Sequence, residues 1–375
     1  MIYNESKYNR QWETKKLSEL GVFARGKSKH RPRNDERLFE GGGYPLVQTG
    51  EIKDANLYIR HHEQEYGDFG LKQSKLWNTG TLCITIAANI AETAILAYPM
   101  CFPDSIVGFS ANHEKSSEKF MYYIFEYIKK SIQNAATGSI QDNINIDYLT
   151  SLISRVPSKK YQDEMVMLLS AIDEKILLNS EINDNLSAMA YDIYMHNFFS
   201  KKPNAKLKDI LTEAEKSAIQ VGEAKTSNGE YPFFTSGATI LKWNEPFVDG
   251  RNCFLNTGGN ADVKFYVGKA AYSTDTWSIS AKSEMSDYLY LMLFSIKPEL
   301  DQKFFQGTGL KHLQKPLLKD RPIYVPEKLE LEAFNRQVMP MFDIISENTR
   351  ENQQLTSLRD WLLPMLMNGQ ATISD

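Results

Sequence analysis

The chain has 375 residues, 42% of them hydrophobic and 24% charged, which is an ordinary composition for a folded globular protein. No apolar run approaches the roughly 20 residues that a membrane-spanning helix needs, and residues 1–7 lack the apolar core of a signal peptide. The net charge of −4 gives no general support to nucleic-acid binding, which would then depend on local basic patches. The three cysteines are isolated, so neither a disulfide framework nor structural zinc is expected, and a reducing cytoplasm fits.

The first segment, residues 1–157, is predicted to form a mixed α/β module. Short apolar stretches alternate with turn signals such as Gly41-Gly42-Gly43. Residues 82–86 are the clearest strand candidate, because an apolar, β-branched run follows a glycine turn there. The aromatic run at residues 120–128 predicts a buried helix that ends near Lys129 and Lys130.

The next segment, residues 158–202, has no glycine, and its apolar residues recur every three or four positions. This spacing predicts one long helix with a heptad-like apolar seam. Pro157 suits the start of that helix and Pro203 its end. A helix of about 40 residues is roughly 60 Å long, which exceeds the width expected of one module.

The second half repeats both patterns, with a module at residues 203–326 and a helix at residues 327–375. Strands are predicted at residues 252–255 and 263–267, and a helix at residues 287–294. When residues are counted back from the two Val-Pro pairs at 156–157 and 325–326, Asn179 matches Asn348 beside the apolar seam. A polar residue in such a place costs stability but specifies register and partner number.

Short sequences recur in the same order at an offset of roughly 170 to 190 residues, which indicates a domain duplication and not a short-repeat solenoid. Residues 16–20 return at 206–210, and residues 44–50 return at 231–237. The expected fold is α+β, with two mixed α/β domains, related by pseudo-twofold symmetry, and two long helices that pair as an antiparallel coiled coil. The alternative is that each helix packs only on its own module.

Enzymatic motifs are missing from the sequence. It contains no Walker A loop, no H-E-x-x-H and no G-x-S-x-G, and its histidines and carboxylates show no metal-ligand or acid–base spacing. We therefore expect no catalytic residue and no metal on this chain.

The order of module, helix, module and helix resembles the specificity subunits of type I restriction–modification enzymes. The resemblance covers nearly the whole chain and rests on short segments repeated around two heptad helices. In the first half these segments are Trp12 and residues 16–20, 44–50, 80–84, 136–141 and 153–157. Each segment is weakly specific alone, whereas their repeated order is specific.

The resemblance implies a non-catalytic recognition subunit with two target-recognition domains, each reading one half of an asymmetric, split double-stranded DNA site. It also implies docking of two methyltransferase subunits on the paired helices, with restriction subunits outside them. No cofactor is expected on this chain, since S-adenosylmethionine and ATP belong to the partner subunits. We expect bare apolar faces that meet partner helices at Met189, Tyr194, Phe198, Phe199, Trp361, Leu363 and Met365.

Candidate DNA contacts lie in basic and polar segments, because arginine and lysine read guanine or hold phosphate, and amides read adenine. In the first module they are Arg25, Lys27, Lys29, Arg31, Arg33, Gln48, Thr49, Lys72, Ser74, Lys75, Thr137, Ser139 and Gln141. In the second module they are Thr235, Ser236, Lys242, Lys264, Thr308, Lys311 and His312. The alternatives are a solvated basic loop and polar turns that satisfy only their own backbone.

A second function class fits the acidic net charge. The chain could be a coiled-coil scaffold whose two modules bind peptides or glycans. Phosphate contacts make DNA binding steeply dependent on salt, so a salt titration distinguishes the two classes.

Overall fold

The computed structural model of the protein describes residues 2–138, 144–307 and 309–373. In these ranges no helix combines the length and the apolar character needed to cross a membrane. The three cysteines are buried free thiols. The described residues also contain no group of histidine, cysteine and carboxylate side chains that could hold a metal ion.

The described residues of the first module form eleven strands and four α-helices. The strands are β1 (Glu13–Lys16), β2 (Gly21–Arg25), β3 (Tyr44–Leu46), β4 (Tyr58–Ile59), β5 (Gln64–Tyr66), β6 (Leu76–Trp77), β7 (Leu82–Thr85), β8 (Thr93–Leu96), β9 (Met100–Cys101), β10 (Ile106–Ala111) and β11 (Ile153–Val156). The helices are α1 (Thr49–Asp54), α2 (Asp68–Gln73), α3 (Glu118–Gly138) and α4 (Ile146–Ser151).

The core of the first module lies between a five-stranded sheet, in the order β2-β10-β7-β8-β4, and helix α3. Strand β7 is buried on both faces: Leu82 and Ile84 pack in the α3 cluster, while Cys83 packs in a second cluster. The alternation follows from the two-residue period of a strand. A second sheet, in the order β5-β3-β9-β6, completes the module. The strand predicted at residues 82–86 is confirmed.

Helix α3 is longer than predicted. It continues to Gly138, so the predicted end near Lys129 and Lys130 is wrong. Lys129 Nζ lies 2.5 Å from Glu92 Oε2, and Ile132, one turn later, is fully buried. The two lysines therefore mark the polar side of a helix whose apolar side goes on packing, and not its end.

The second module has a related architecture. Its strands are β12 (Ala205–Lys206), β13 (Leu211–Glu213), β14 (Tyr231–Phe234), β15 (Leu241–Trp243), β16 (Arg251–Asn256), β17 (Val263–Val267), β18 (Ala271–Tyr272), β19 (Thr276–Ala281), β20 (Phe305–Gln306), β21 (His312–Leu313) and β22 (Pro322–Ile323). Its helices are α6 (Leu207–Ile210), α7 (Val221–Ala224), α8 (Ser286–Ser295), α9 (Lys297–Glu299) and α10 (Lys315–Lys319), and a π-helical turn spans Leu300–Phe304.

The sheet order β13-β19-β16-β17 matches β2-β10-β7-β8 of the first module. Helix α8 packs over this sheet, and its Leu289 and Leu293 share one buried cluster with Cys253 and Ile279. The predicted strands at residues 252–255 and 263–267 and the predicted helix at residues 287–294 are therefore confirmed.

Two long helices follow the modules: α5 (Lys159–Phe198) and α11 (Lys328–Met367), each of 40 residues. The chain divides into a first unit, Met1–Leu177 with Gln354–Asp375, and a second unit, Leu178–Gln353. Each unit thus contains one module and one part of each long helix. In the first unit the helix parts run antiparallel, since Asp173 bonds Arg359 and Tyr161 bonds Ala371.

Four asparagines join the helix parts in the second unit. Asn179 Nδ2 donates to Asn352 Oδ1 at 2.9 Å, and Asn348 Nδ2 donates to Asn183 Oδ1 at 2.9 Å. Counted from the two Val-Pro pairs, Asn348 of α11 matches Asn179 of α5, and Asn352 matches Asn183. The two hydrogen bonds are therefore equivalent: in each, the first of these two asparagines of one helix donates to the second of the other helix. Asn179 is buried and also donates to Glu351 Oε2 at 2.6 Å.

The apolar faces of the long helices differ in part from the expectation. Tyr194 and Phe198 are buried in the core of the second module, so their predicted exposure to partner helices is wrong. Their rings pack against Tyr288 of α8 at centroid distances of 5.7 and 5.3 Å. Met189 and Trp361 are exposed, as expected, at 52% and 58%.

A buried ion cluster connects the first module to the long helices within the first unit. Arg359 Nη1 of α11 lies 2.8 Å from Asp173 Oδ1 of α5, and Tyr123 of α3 donates to Asp173 Oδ2 at 2.7 Å. The Asp173 side chain is only 3% exposed, so its charge depends on these two partners.

The second unit contains a comparable cluster. Arg251 of β16 donates to both carboxylate oxygens of Asp287 at 2.6 and 2.8 Å and to Asp343 of α11 at 2.6 Å. Burial raises the pKa of Asp287 despite the guanidinium beside it. Each module is therefore joined to a long helix of its own unit by a charged contact.

We predict that Arg359→Met lowers the free energy of unfolding by about 3–5 kcal/mol, because it leaves the buried Asp173 carboxylate without a cation. The double variant Asp173→Leu with Arg359→Met should recover most of that loss, since an apolar pair needs no counter-charge. Urea denaturation of both variants measures the difference. A single variant as stable as the parent, or a double variant less stable than the single one, would contradict this account.

Candidate nucleic-acid interface

Each module has one sheet in which two short strands run parallel and end at the same edge. In the first module Leu46 of β3 pairs with Cys101 of β9. In the second module Phe234 of β14 pairs with Tyr272 of β18. The segments that follow the paired strands therefore lie side by side: residues 47–49 beside 102–104, and residues 235–236 beside 273–275. We refer to these two places as the first edge and the second edge.

Gln48 and Thr49 lie at the first edge. The Val47 amide donates to the Cys101 carbonyl at 2.9 Å, which anchors the end of β3 to β9. Gln48 precedes helix α1, and its backbone N–H donates to Glu51 Oε2 at 2.6 Å. The side chain of Gln48 is exposed. Thr49 is the first residue of α1 and is half-buried. Gln48 is thus the better placed of the two to reach a ligand.

The basic segment that continues from β2 lies against the same edge. The Gly26 amide donates to Ile106 O at 2.8 Å and the Lys27 amide to Phe102 O at 3.1 Å. This close approach requires glycine at position 26, because a Cβ there would lie 2.1 Å from Pro103 O. The segment therefore brings Arg25 to Arg33 beside the residues that follow β9.

Three arginines of this segment surround Asp104. Arg33 Nη2 lies 2.5 Å from Asp104 Oδ1, and Arg31 Nη2 lies 3.5 Å from Asp104 Oδ2. Arg25 Nε donates to the Asp104 backbone carbonyl at 2.6 Å. The arginines are exposed, and the Asp104 side chain is 30% exposed. The first edge is therefore a basic surface in which three arginines surround the carboxylate of Asp104.

Residues of α2 and its C-terminal turn join this surface. The Lys29 amide donates to Gln73 O at 3.1 Å, so Lys72 and Lys75 lie next to the basic segment. The Lys75 ammonium sits 3.6 Å from the centre of the Trp77 ring. Ser74 is buried, and its hydroxyl donates to Lys27 O at 2.9 Å, so this side chain supports the loop.

Arg37 and Asp35, in the same segment, form an ion pair with each other. Arg37 donates from Nε and Nη2 to the Asp35 carboxylate at 2.6 to 3.2 Å. His30 also bonds Asp35, at 2.7 Å. The hydrogen bonds from Arg37 and His30 hold the pKa of Asp35 well below its usual range. Two of the three guanidinium nitrogens of Arg37, Nε and Nη2, therefore already donate to Asp35.

The second edge has fewer charges and more amides and hydroxyls. Thr235 is buried, and its hydroxyl accepts from the Gly237 amide at 3.0 Å. This bond fits the alternative of a polar turn that satisfies its own backbone. Ser236 Oγ donates to Asp275 O at 2.9 Å. Lys264 Nζ donates to Thr235 O at 2.8 Å. The predicted residues Thr235, Ser236 and Lys264 thus form one cluster.

Lys311 and His312 lie beside a neighbouring loop of the second module. Gly259 N donates to Lys311 O at 3.0 Å, and Gly258 forms a bridge with His312. Lys311 Nζ donates to Asp301 Oδ2 at 2.9 Å, and this bond lowers the pKa of Asp301. Lys242 lies on β15, opposite Pro232 of β14, and is half-buried.

Four predicted contacts cannot be placed. Ser139, Gln141 and Thr308 lie outside the described residues, and so does the side chain of Thr137.

Sequence reasoning missed two residues at the edges, Asp104 and Asn256. Asn256 is buried and its Nδ2 donates to Ser236 O at 3.0 Å and to Asn260 O at 3.2 Å. The sequence does contain a signal for Asp104: residues 102–105 and residues 272–276 occupy equivalent places, ahead of helices α3 and α8. That equivalence places Asp104 and Asp275 at matching positions.

Comparison with known proteins identifies the family. Residues 9–188 and 201–356 match the model of the type I restriction modification DNA specificity domain. The specificity subunit of the type I restriction enzyme MjaIX from Methanocaldococcus jannaschii is 20% identical over 417 residues, covering 98% of this chain and 95% of that protein. The HindI specificity subunit from Haemophilus influenzae is 22% identical over 342 residues, covering 65% and 74%.

The chain is also similar to a solved structure over its full length. It is the crystal structure of the type I restriction–modification S subunit from M. genitalium, with a TM-score of 0.63, 16% identity and 100% coverage of both chains. At this identity the likeness concerns the fold alone, and it confirms the predicted class of two mixed α/β domains with two long helices.

The chain belongs to the type I restriction modification DNA specificity domain family and contains two copies of that domain. It is a DNA specificity protein of a type I restriction–modification system, concerned with sequence recognition and not with catalysis. The resemblance stated from the sequence is therefore confirmed.

Proposed function

We propose that the two modules each read one half of a split, asymmetric site in double-stranded DNA. The observation that carries this proposal is the recurrence of one edge, formed where two parallel strands end, in both modules. The strand framework of the edges is shared, while the side chains that follow it differ. A shared framework with different side chains suits two readers of different sequences.

The chemistry of the two edges supports unlike half-sites. The first edge presents Arg25, Arg31 and Arg33 together with the exposed amide of Gln48. The second edge presents Ser236 and Lys264, supported by the buried amide of Asn256. The planar forks of several arginines suit guanine, whereas a single lysine beside a serine hydroxyl offers a different set of donors, so the two half-sites should differ.

Phosphate contacts fall to lysines around the first edge. Lys29 and Lys72 are exposed and Lys27 is half-buried, and all three lie on the segments that border the edge. Such contacts position the protein on the duplex and supply affinity without sequence information. They also account for DNA binding by a chain whose net charge is −4.

We propose that the long helices set the gap between the half-sites. A helix of about 40 residues extends roughly 60 Å, while one turn of B-DNA is about 34 Å. Asn179 and Asn348 fix the register in this proposal, because sliding one helix past the other would separate their bonded partners Asn352 and Asn183.

The outer faces of the long helices are proposed to dock two methyltransferase subunits, with restriction subunits joining outside them. In the first unit Met167, Leu358 and Trp361 are exposed at 67%, 44% and 58%. In the second unit Met189 and Leu329 are exposed at 52% and 78%. Large exposed apolar side chains on a helix are typical of a protein–protein interface.

Coexpression with the cognate methyltransferase subunit tests the recognition proposal. We expect adenine methylation at one motif made of two unlike halves with a fixed gap, read by long-read sequencing of host DNA. The matched control is the methyltransferase subunit expressed without this chain, which should leave the DNA unmodified.

Methylation of a continuous motif would contradict the split-site proposal. Absence of both methylation and salt-sensitive DNA binding by the assembled complex would instead favour the scaffold with two peptide- or glycan-binding modules.

Trp361→Glu tests the docking surface. A charge at this exposed position should reduce copurification of the methyltransferase subunit at least tenfold, because burying an unpaired carboxylate at an interface is costly. Leu317→Glu is the matched control, since Leu317 is 49% exposed on α10 of the second module, away from the long helices in sequence. Unchanged copurification by Trp361→Glu, with both variants folded by circular dichroism, would refute this docking face.

A further inference from the structure

We propose that Asp104 is a positioning residue that aims Arg33 at a guanine in the half-site read by the first module. This inference rests on the proposed function and adds to it a specificity-determining residue and the base that it reads. It follows from the different acceptors that the arginines at the first edge bond: a carboxylate for Arg33, and backbone carbonyls for Arg25 and Arg31.

Arg33 bonds a carboxylate side chain and, among the described residues, no backbone carbonyl. Its guanidinium is 51% exposed. Its bond to Asp104 uses Nη2 alone, at 2.5 Å. A guanidinium has five N–H donors in one plane, and Nη2 carries two of them. The second N–H of Nη2, together with an N–H of Nε or Nη1, is therefore left to form a bidentate contact.

The other two arginines around Asp104 are held by the backbone. Arg31 Nη1 donates to the carbonyls of Ser28 and His30 at 2.6 and 2.8 Å. Arg25 Nε donates to the carbonyl of Asp104 at 2.6 Å. These bonds fix the loop around Asp104, so Arg25 and Arg31 support the arrangement in which Arg33 is presented.

The carboxylate of Asp104 distinguishes a base from a phosphate as the target of Arg33. A phosphate held by Arg33 would come close to a second negative charge, and like charges at such distances repel. The edge of a guanine is neutral and offers the O6 and N7 acceptors to a bidentate arginine. A fixed carboxylate beside the guanidinium therefore opposes phosphate binding and leaves guanine binding favourable.

The carboxylate also fixes the direction of the guanidinium. An unrestrained arginine loses side-chain entropy when it binds, and restraint before binding reduces that loss. Asp104 is held in turn, because its carbonyl accepts from Arg25 and it follows the strand pair β3 and β9. Arg33 is thus restrained by a residue that is itself restrained.

The second edge has no such arrangement among the described residues. Asp275 occupies the position equivalent to Asp104, and its backbone carbonyl accepts from Ser236 Oγ and Thr257 N. The segment after β13 that corresponds to the basic segment, residues 214–220, contains one lysine and no arginine. The arginine-guanine contact is therefore assigned to the first module alone.

The test uses the complex of this chain with its methyltransferase subunits and a plasmid library in which each position of the motif is randomised. Arg33→Lys keeps the charge but removes the planar fork. We expect it to lower discrimination roughly tenfold to hundredfold at one guanine, and at no position of the other half-site. Binding to random-sequence duplex, measured by fluorescence anisotropy, should stay within about twofold, because the charge is kept.

Two further variants separate positioning from simple loss of charge. Asp104→Asn should relax the same guanine, while affinity for random-sequence duplex stays equal or rises, since a repulsive charge is removed. Arg37→Lys is the matched control: its fork is engaged by Asp35, so the motif should be unchanged. The exposed position of Arg33 makes misfolding of its variant a small concern, which circular dichroism checks.

Three results would overturn the inference. The first is relaxation by Arg33→Lys at a base pair without guanine, or at no position. The second is a drop in affinity for all sequences with Asp104→Asn. The third is a split motif in which neither half contains a guanine. If the parent complex methylates no split motif at all, the proposed function itself fails, and that outcome is distinct from these three.

Discussion

A buried amide must find a hydrogen-bond partner, and this requirement fixes how the two long helices pair in the second unit. Asn179 donates to Asn352, and Asn348 donates to Asn183, in one antiparallel arrangement. A shift of either helix by one turn would break both bonds and leave Asn179, which is 1% exposed, without them. An apolar seam alone tolerates several registers, whereas reciprocal amides accept one.

Each module is joined to the long helices of its own unit at a buried charge. Asp173, which is paired with Arg359, accepts from Tyr123 of the first module. Arg251, which is paired with Asp287 in the second module, also bonds Asp343 of α11, and such buried pairs tolerate little displacement of their partners. The long helices are therefore restricted to one register, whereas the side chains at the edges of the modules differ. The two edges show that variation most clearly, with arginines around Asp104 in one module and hydroxyls and amides around Asn256 in the other.

Much of the framework could be predicted from the sequence, because it depends on local periodicity. The strand at residues 263–267 and the helix at residues 287–294 follow from alternation, apolar runs and flanking turns. The family followed from the repeated order of short segments. The burial of Tyr194 and Phe198 was not predictable, because it depends on α8 and Phe334 packing onto that face of α5. The length of α3 was missed because two lysines looked like a terminus.

The sequence predicted which segments contribute to the interface, but it did not predict which of their side chains lie together in space. The basic segment from Arg25 to Arg33 was visible, but its counter-ion Asp104 is 71 positions from Arg33 in sequence. Only the parallel pairing of β3 with β9 brings Asp104 to the same edge. In the same way, the burial of Ser74 and Thr235 separates supporting side chains from candidate contacts, and the sequence does not encode that distinction locally.

We propose that the two modules are independent readers and that the paired helices set the gap between their half-sites. The most direct measurement inserts seven residues of heptad sequence between Leu177 and Leu178 and seven more between Gln353 and Gln354, where the two units divide. Seven residues add about 10.5 Å of helix, which corresponds to about three base pairs of duplex. Methylome sequencing should then show the gap lengthened by about three base pairs, with both half-sites unchanged. An unchanged gap, or altered bases within either half-site, would contradict the account.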